Sequence, residues 1–313
     1  MITIIIPCFN EEDVFEVFIS ELEKCLKSLN YKFEIIFIDN KSSDKTWNLM
    51  NSQKLHFNSI KLIKFSNYFG KEAAILAGLD QSSGEAAIIM DPDLEDPPSF
   101  IVSLINKWKE GYDIVYTIRA SEQISFAKKI LKKIFYKILV LSSEGMNKIP
   151  SNSGDFRIID KKIVDLVKGM RERTRFLRGL TNYVGFKQTG IIFDRPFRNK
   201  GKSKSSYNFL IKYAFDSLFS FSNAPINLIT KFGFWLIIFI LMFSIFLLIQ
   251  KIFGKPLEGF TTVIIFLGLI SSFNILAIGL VGEYVSRIYN EVKERPNYII
   301  EDMVIKSDKI SGK

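Results

Sequence analysis

An apolar stretch that ends in two carboxylates is the feature of this sequence best suited to metal chemistry. The run Ala86–Met90 leads into Asp91 and Asp93, with Glu95 two residues further on. A run this short and apolar is typical of a buried strand in a parallel sheet, whose carboxyl end is where open α/β sheets bind ligands. Carboxylates at that edge favour Mg²⁺ or Mn²⁺ carrying a diphosphate. The alternative is a solvated acidic turn.

Polar residues also follow two earlier strand-like runs. Ile2–Ile6 leads into Pro7–Glu12, and Phe33–Ile38 leads into Asp39. The ends of neighbouring parallel strands flank one crevice, so we expect Asp39 and the acidic pair at the same rim. Asp39 would accept hydrogen bonds from a base or ribose; its alternative role is to stabilise a turn. Acidic residues at several strand ends favour a nucleotide–metal site.

Strand-like and helix-like runs alternate through this part of the chain, which predicts a doubly wound, mostly parallel α/β sheet with helices on both faces. The predicted strands are Ile2–Ile6, Phe33–Ile38, Ile60–Phe65, Ala86–Met90 and Asp113–Tyr116. The predicted helices are Glu12–Leu29, Asp44–Gln53, Lys71–Gln81 and Pro98–Glu110. Asn10 is predicted to cap the first helix.

Two later runs, Phe232–Ile249 and Phe260–Val281, are apolar over nearly their whole length. Each is close to the roughly 20 residues that cross a bilayer, and the short loop between them predicts a helical hairpin. Lysine and arginine flank both ends, which places both flanks in the cytoplasm. The alternative is a buried pair of helices in a soluble protein.

The net charge of +9 suits either nucleic acid or an anionic membrane surface. The apolar runs favour the membrane, and we expect no nucleic-acid partner. The basic stretch Ile124–Leu141 would form a helix that lies on the membrane or packs on the sheet, and Tyr207–Phe221 is a second amphipathic stretch.

The reactive residues that the sequence lacks also limit its chemistry. Two cysteines, Cys8 and Cys25, make no disulfide framework and suit a reducing compartment. The single histidine, His56, excludes a histidine-rich metal site, and we expect it at the surface. The chain starts directly with a strand-like run, so we expect no signal peptide.

Four motifs follow predicted strands or begin a predicted helix: Pro7 with Asn10–Glu12, Asp39 with Ser42–Asp44, Gly70–Glu72 with Ala77–Asp80, and Asp91–Asp93 with Asp96–Pro98. Together they resemble the family 2 glycosyltransferases of the GT-A fold. A later set is similar to the polyprenyl-phosphate glycosyltransferases, including bactoprenol glucosyltransferases and dolichol-phosphate mannose synthase. That set is Gly154–Arg157, Phe176–Leu180, Gly185–Phe186, Lys202–Ser205 and Phe221–Pro225, followed by the two apolar runs.

This resemblance implies an inverting enzyme that moves a sugar from a nucleotide-sugar to a lipid phosphate. Glucose from UDP-glucose and undecaprenyl phosphate are the leading substrates, and the product would serve the modification of cell-surface glycans. GDP-mannose, UDP-N-acetylhexosamine and UDP-4-amino-arabinose remain alternative donors. A processive polysaccharide synthase is less favoured, because Trp47, Trp108 and Trp235 lie in no Gln-x-x-Arg-Trp signature. An inactive membrane scaffold is disfavoured by the intact acidic pair.

The resemblance also implies roles for residues on the donor side. Asp39 would bind the nucleoside, and the other nucleotide-binding residues would be Pro7, Asn10, Glu11 and Lys71. Asp91 and Asp93 would hold the Mg²⁺ or Mn²⁺ that neutralises the leaving diphosphate. Glu95 stands where relatives often carry glutamine, and as an extra carboxylate it would either tighten metal binding or repel a phosphate.

On the acceptor side, the resemblance assigns catalysis to Asp155 together with Asp93. A phosphate monoester is largely dianionic at neutral pH, so Asp155 would orient the acceptor or complete the metal site rather than remove a proton. The alternative for Asp155 is a place in a turn before a helix. The residues expected to grip the acceptor phosphate, or else to be solvated charges, are Arg119, Arg178, Lys202 and Lys204, with Arg178 and Lys204 foremost.

These assignments divide the chain into four predicted parts. Residues 1–204 form the cytoplasmic catalytic domain, 205–225 a juxtamembrane helix, 226–285 the hairpin with spans near 229–250 and 259–282, and 286–313 a cytoplasmic tail. We expect a multi-pass protein of the inner (plasma) membrane with both termini in the cytoplasm. Small residues in the second span, Gly268, Ser271 and Ser272, favour packing of spans in a homo-oligomer.

Overall fold

A computed structural model describes residues 1–53, 59–119, 153–170, 177–193, 224–253 and 259–307. The described residues form two compact units. The first contains the residues up to 193 together with those from Pro296 onward, and the second contains Ala224–Arg295.

The first unit is built on a mixed sheet of eight strands in the order β7-β5-β6-β4-β1-β2-β3-β8. The strands are β1 (Ile2–Cys8), β2 (Phe33–Asp39), β3 (Ser59–Phe65), β4 (Ala86–Ile89), β5 (Ile114–Arg119), β6 (Ser153–Asp160), β7 (Gln188–Phe193) and β8 (Ile300–Ser307). Strand β1 is parallel to both β2 and β4, and β2 is parallel to β3. Strand β6 runs antiparallel between β4 and β5, and β8 is antiparallel to β3.

Helices cover both faces of this sheet. The helices of the first unit are α1 (Phe15–Lys27), α2 (Thr46–Ser52), α3 (Lys71–Asp80), α4 (Ile101–Lys109), α5 (Lys161–Gly169) and α6 (Leu177–Tyr183). Alternate residues of a strand face opposite sides, so Ile4 and Ile6 join the apolar cluster that includes Phe15 of α1, whereas Ile5 packs against Gly78 of α3. The predicted α/β class with a mostly parallel central region is confirmed.

The predicted cap of the first helix is wrong. Helix α1 begins at Phe15 after Val14, and no side chain caps it. Asn10 instead has a φ of 54°, and its Oδ1 accepts a hydrogen bond from the Ser43 amide at 2.8 Å. The side chain that looked suited to a helix start therefore joins two loops at the sheet edge.

The segment after the second apolar helix returns to the eight-stranded sheet as β8, which the sequence did not predict. Met303 of β8 pairs with Ile63 of β3. The ring of Tyr298, just before β8, stacks on Phe65 at 5.3 Å, and its hydroxyl donates to Asp80. The predicted tail 286–313 thus contains a strand of the first unit.

The second unit consists of two long helices, α7 (Ala224–Ile252) and α8 (Phe260–Val292). Within them, Leu228–Gln250 and Phe266–Val292 are long and apolar enough to cross a membrane, with mean hydropathies of 2.9 and 1.7. Among the described residues neither span is buried, in contrast to the core helices of soluble proteins. Aromatic rings pack between the helices, with Phe243 and Phe266 at 5.0 Å.

We expect Gly78→Ala to destabilise the first unit, because a Cβ at Gly78 would overlap Ile5 Cγ2 in the closely packed interface between α3 and β1. Overpacking of this kind costs about 1–3 kcal/mol. Gly169→Ala is the matched control, since a Cβ at Gly169 meets nothing within 4 Å. Urea denaturation of the purified protein measures both variants, and equal stability of the two would contradict the packing described.

Candidate functional site

The carboxyl ends of β1, β2 and β4 lie at one edge of the sheet, at the point where the strand order reverses direction. Cys8 of β1 pairs with Asp39 of β2, and the amide of Met90, just after β4, donates to Ile5 of β1. The Cys8 thiol has a pKa raised well above its usual value, first by burial and then by carboxylates that include Asp39 and Asp91. Both carboxylates therefore lie near the end of β1, at the switch point where such sheets bind ligands.

The loops that leave these strands are joined by hydrogen bonds. The amide of Asn10 donates to Ser42 Oγ at 3.0 Å, and that of Glu11 donates to Thr46 Oγ1 at 2.8 Å. Asn40 Oδ1 accepts from the amide of Phe69 at 2.9 Å, which adds the loop after β3. The backbone of this rim is thereby fixed before any ligand binds.

Asp39 presents an acceptor at this rim. Its side chain is completely buried, and its Oδ1 accepts from the Ser42 amide at 3.1 Å. Its Oδ2 is also buried and has no hydrogen-bond partner among the described residues. Burial raises the pKa of Asp39, while hydrogen bonds from Ser42 act in the opposite direction. An oxygen of this kind suits a donor supplied by a ligand, such as a base N–H or a ribose hydroxyl.

Two aromatic rings that the sequence analysis did not assign lie at the same rim. Phe9 follows β1 and Tyr68 follows β3, and their ring centroids are 4.7 Å apart. The two rings are tilted by 54°, and Tyr68 is 53% exposed, so a face of its ring is open. The signal that would have found them is their position three residues after the predicted strands Ile2–Ile6 and Ile60–Phe65.

A cluster of ion pairs lies on the other side of β1. Lys71 Nζ is 2.6 Å from Asp91 Oδ2 and 2.9 Å from Asp155 Oδ2. Arg178 Nε donates to Asp155 Oδ1 at 2.8 Å, and its guanidinium also donates to the Ser153 carbonyl at 3.2 Å. Four parts of the fold thus meet in this cluster. Lys71 is the first residue of α3, and Asp91 follows β4. Asp155 lies in β6, and Arg178 lies in α6.

Sheet register explains why two acidic residues lie so close together. Ile89 of β4 pairs with Arg157 of antiparallel β6. Continuing this register beyond the end of β4 brings Asp91 opposite Asp155. Lys71 is placed beside them by Gly70, whose φ of 92° lies in the region that favours glycine.

The cations outweigh burial at Asp155 but not at Asp91. Burial would raise the pKa of Asp155, but the charges of Arg178 and Lys71 hold that pKa well below its usual value. Burial raises the pKa of Asp91, with Lys71 partly opposing this effect. A carboxylate with so low a pKa has little affinity for a proton, so Asp155 is a weak general base at neutral pH.

The Asp-x-Asp pair offers few protein ligands for a metal. Asp93 Oδ1 accepts from the Glu95 amide at 3.0 Å across Leu94, whose φ is 59°. No group of three or more histidine, cysteine or acidic side chains forms a metal site within the described ranges. Two carboxylates nevertheless fit Mg²⁺, which is usually bound by one or two carboxylates together with substrate phosphates.

The structure brings some of the predicted residues together and separates others. Lys71, predicted to bind the nucleotide, lies against Asp91 and Asp155. Asp155 lies in a strand rather than in a turn before a helix. Arg119 ends β5, and only its backbone is described. Outside the described residues lie Lys202, Lys204, His56 and the stretches Ile124–Leu141 and Tyr207–Phe221.

Two charged residues of the cluster were not assigned from sequence. Glu72 follows Lys71, and its Oε2 accepts from the Leu177 amide at 3.2 Å. Arg157 is 2% exposed and donates to Thr181 Oγ1 and to the Gly154 carbonyl, each at 2.7 Å. Burial lowers the pKa of Arg157 to about 10. The spacing of Asp155 and Arg157 indicates a shared strand face, which was the signal available in the sequence.

Comparison with known proteins gives consistent matches. The model of the family described as glycosyl transferase family 2 matches residues 3–167. A Synechocystis protein named an uncharacterized glycosyltransferase is 38% identical over 304 residues, which is 96% of this chain and 95% of that protein. A bactoprenol glucosyl transferase of Shigella phage SfII is 32% identical over 302 residues, covering 96% of this chain and 97% of that protein.

A solved structure, mannosyl-3-phosphoglycerate synthase from Rubrobacter xylanophilus, aligns with a TM-score of 0.49 at 13% identity. The alignment covers 74% of this chain and 75% of that chain.

We expect Lys71→Met to lower the free energy of unfolding, because it removes the cation between the carboxylates of Asp91 and Asp155 and leaves Asp91 without its ion pair. Lys71 is 39% exposed, so the cost is about 1–2 kcal/mol rather than that of a fully buried pair. Adding Asp155→Asn removes one of the repelling charges and restores part of the loss. Urea denaturation measures both variants.

Lys107→Met is the control, since Lys107 pairs with Glu110 at the surface and its replacement is expected to leave the free energy of unfolding nearly unchanged. A loss at Lys71 no larger than that at Lys107 would show that the cluster is not held by its lysine.

Proposed function

The chain belongs to glycosyl transferase family 2 and is a glycosyltransferase; we propose that it moves glucose from UDP-glucose to undecaprenyl phosphate. The observation that carries this proposal is the cluster in which Lys71 joins Asp91 to Asp155 and Arg178 holds Asp155 from the other side. It provides an acidic surface for a metal-bound diphosphate beside a basic surface for a second phosphate. The match to bactoprenol glucosyl transferases over nearly the full chain supports the lipid acceptor.

On the donor side, the buried Oδ2 of Asp39 accepts a hydrogen bond from the nucleoside. The exposed part of the Phe9–Tyr68 pair offers a base the stacking surface that aromatic side chains provide. The loop of Asn10 and Glu11 lies beside Asp39 through its bonds to Ser42 and Thr46. Pro7 pairs with Ile38 one residue before the end of β1, and it has no backbone N–H to donate.

Asp91 and Asp93 hold the Mg²⁺ or Mn²⁺, with Glu95 adjacent. When bound, the metal neutralises charge that develops on the leaving diphosphate. Asp91 is already paired with Lys71, so the protein supplies a second positive charge at the same place. Lys71 therefore acts on the diphosphate rather than on the nucleoside.

On the acceptor side, Arg178 binds the lipid phosphate, and Arg119, Lys202 and Lys204 add positive charge. An oxygen of the phosphate dianion attacks the anomeric carbon while the bond from that carbon to UDP breaks, which inverts its configuration. No proton has to be removed from the nucleophile at neutral pH. Asp155 is ionised and pairs with both Lys71 and Arg178. It thereby orients Lys71 toward the diphosphate of the donor and Arg178 toward the phosphate of the acceptor.

The two apolar helices cross the inner membrane as a hairpin. Because β8 pairs with β3 in the same sheet, the chain after α8 lies on the same side as the catalytic unit. Two crossings of the membrane, one by each apolar helix, return the chain to that side. The lysine and arginine residues at both flanks place that side in the cytoplasm.

The direct test is transfer of labelled sugar to undecaprenyl phosphate by membranes that contain the protein and Mg²⁺ or Mn²⁺. We expect transfer from UDP-glucose in a screen that also contains GDP-mannose, UDP-N-acetylhexosamine and UDP-4-amino-arabinose. Asp93→Asn should reduce the rate by about a hundredfold or more, because metal stabilisation of the leaving group contributes several kcal/mol.

Asp165→Asn is the control, since Asp165 is an exposed carboxylate of α5, and its rate should match that of the unaltered protein. Transfer from no donor in the screen would refute the proposed reaction. Full activity of Asp93→Asn would refute the metal role.

A further inference from the structure

Glu72 is a carboxylate that neither the donor site nor the acceptor site uses directly. It lies in the first turn of α3, next to Lys71. Burial and the nearby charge of Asp155 raise its pKa to about 7. Burying a carboxylate beside another negative charge is unfavourable, so we expect Glu72 to accept a hydrogen bond that offsets this cost.

That interaction is with the helix that carries Arg178. Glu72 Oε2 accepts the hydrogen bond of the Leu177 amide at 3.2 Å, and Leu177 is the first residue of α6 that the structure describes. Glu72 thus satisfies a backbone donor of α6 from a different helix. Arg178 is the next residue, and its guanidinium reaches back to Asp155.

A second contact fixes the same helix one turn later. The guanidinium of Arg157 donates to Thr181 Oγ1, and Thr181 Oγ1 donates to the Leu177 carbonyl at 2.8 Å. Residues four apart share one face of a helix, so Leu177 and Thr181 lie on the same face of α6. Glu72 from α3 and Arg157 from β6 thus both hold the turn of α6 between Leu177 and Thr181.

We propose that Glu72 is a positioning residue for the acceptor: by holding the Leu177 amide it places Arg178 for the lipid phosphate. The inference rests on the proposed function, in which Arg178 binds that phosphate. Because Lys71 and Glu72 are adjacent in α3, one turn of helix links Asp91 on the donor side to α6 on the acceptor side.

A double-mutant cycle between Glu72 and Arg178 tests this role. The lipid KM of the full-length protein is measured by varying undecaprenyl phosphate at saturating donor. The donor KM is then measured by varying the donor. Glu72→Ala should raise the KM for the lipid about tenfold and leave the donor KM within about twofold, as expected for loss of a hydrogen bond to a charged group. Glu72→Gln keeps an oxygen acceptor for the Leu177 amide and should restore the lipid KM to within about threefold of normal.

The cycle itself separates positioning from an independent effect. If Glu72 acts through Arg178, Glu72→Ala should add little to the lipid KM in an Arg178→Ala background. If the effects of Glu72→Ala and Arg178→Ala on the lipid KM multiply in the double mutant, the inference is overturned. It is also overturned if Glu72→Ala raises the donor KM as much as the lipid KM. No transfer by the unaltered protein would instead overturn the proposed function, and the inference with it.

Glu34→Gln provides a matched control for general loss of structure. Glu34 is a 2%-exposed carboxylate in β2 that accepts hydrogen bonds from Thr3 and from the Ser83 amide, and it pairs with Lys61 at 2.8 Å. Its loss should lower the thermal unfolding temperature without changing the lipid KM. A rise in the lipid KM for Glu34→Gln as large as that for Glu72→Ala would show that the effect is structural, which contradicts positioning.

Discussion

The bridge that Lys71 makes between Asp91 and Asp155 is the interaction on which the rest of the site depends. Sheet register places the two carboxylates opposite each other, where they would repel without a cation between them. Lys71 removes that repulsion, and Arg178 adds a second positive charge beyond Asp155. The result is a row of alternating charges along which a diphosphate and a phosphate ester can lie next to each other without a large electrostatic penalty.

The fold supplies this row through a change of strand direction. Parallel strands β1, β2 and β4 bring their carboxyl ends to one edge, which accounts for the nucleotide side. Antiparallel β6 then brings Asp155 to the same edge from the opposite direction. Strand β8 follows the second apolar helix and forms the edge of the sheet next to β3. Its Glu301 pairs at 2.8 Å with Lys41, which lies in the loop after Asp39. The catalytic unit therefore uses residues from both sides of the apolar hairpin.

Local pattern was sufficient to predict the first five strands, the four helices between them and the two long apolar helices, because each has a clear periodicity and length. It did not predict β6, β7 or β8, since their pairing partners are distant in the chain and their sequences mix polar and apolar residues. The acidic strand ends Asp39 and Asp91 were predicted because parallel topology fixes where strand ends lie. The bridge by Lys71 and the contact of Glu72 with α6 were not, because they depend on where the first turn of α3 lies relative to Asp155 and Leu177, which no spacing in the sequence encodes.

In the proposed site, the nucleotide and the acceptor meet at Asp155, with the nucleotide on the side of Asp39 and Asp91. A structure of the full chain with UDP and Mn²⁺ tests it most directly. We predict the ribose or base against Asp39, the diphosphate and Mn²⁺ against Asp91 and Asp93, and Arg178 still paired with Asp155. UDP bound away from the edge formed by β1, β2 and β4, or Arg178 drawn onto the diphosphate, would contradict it.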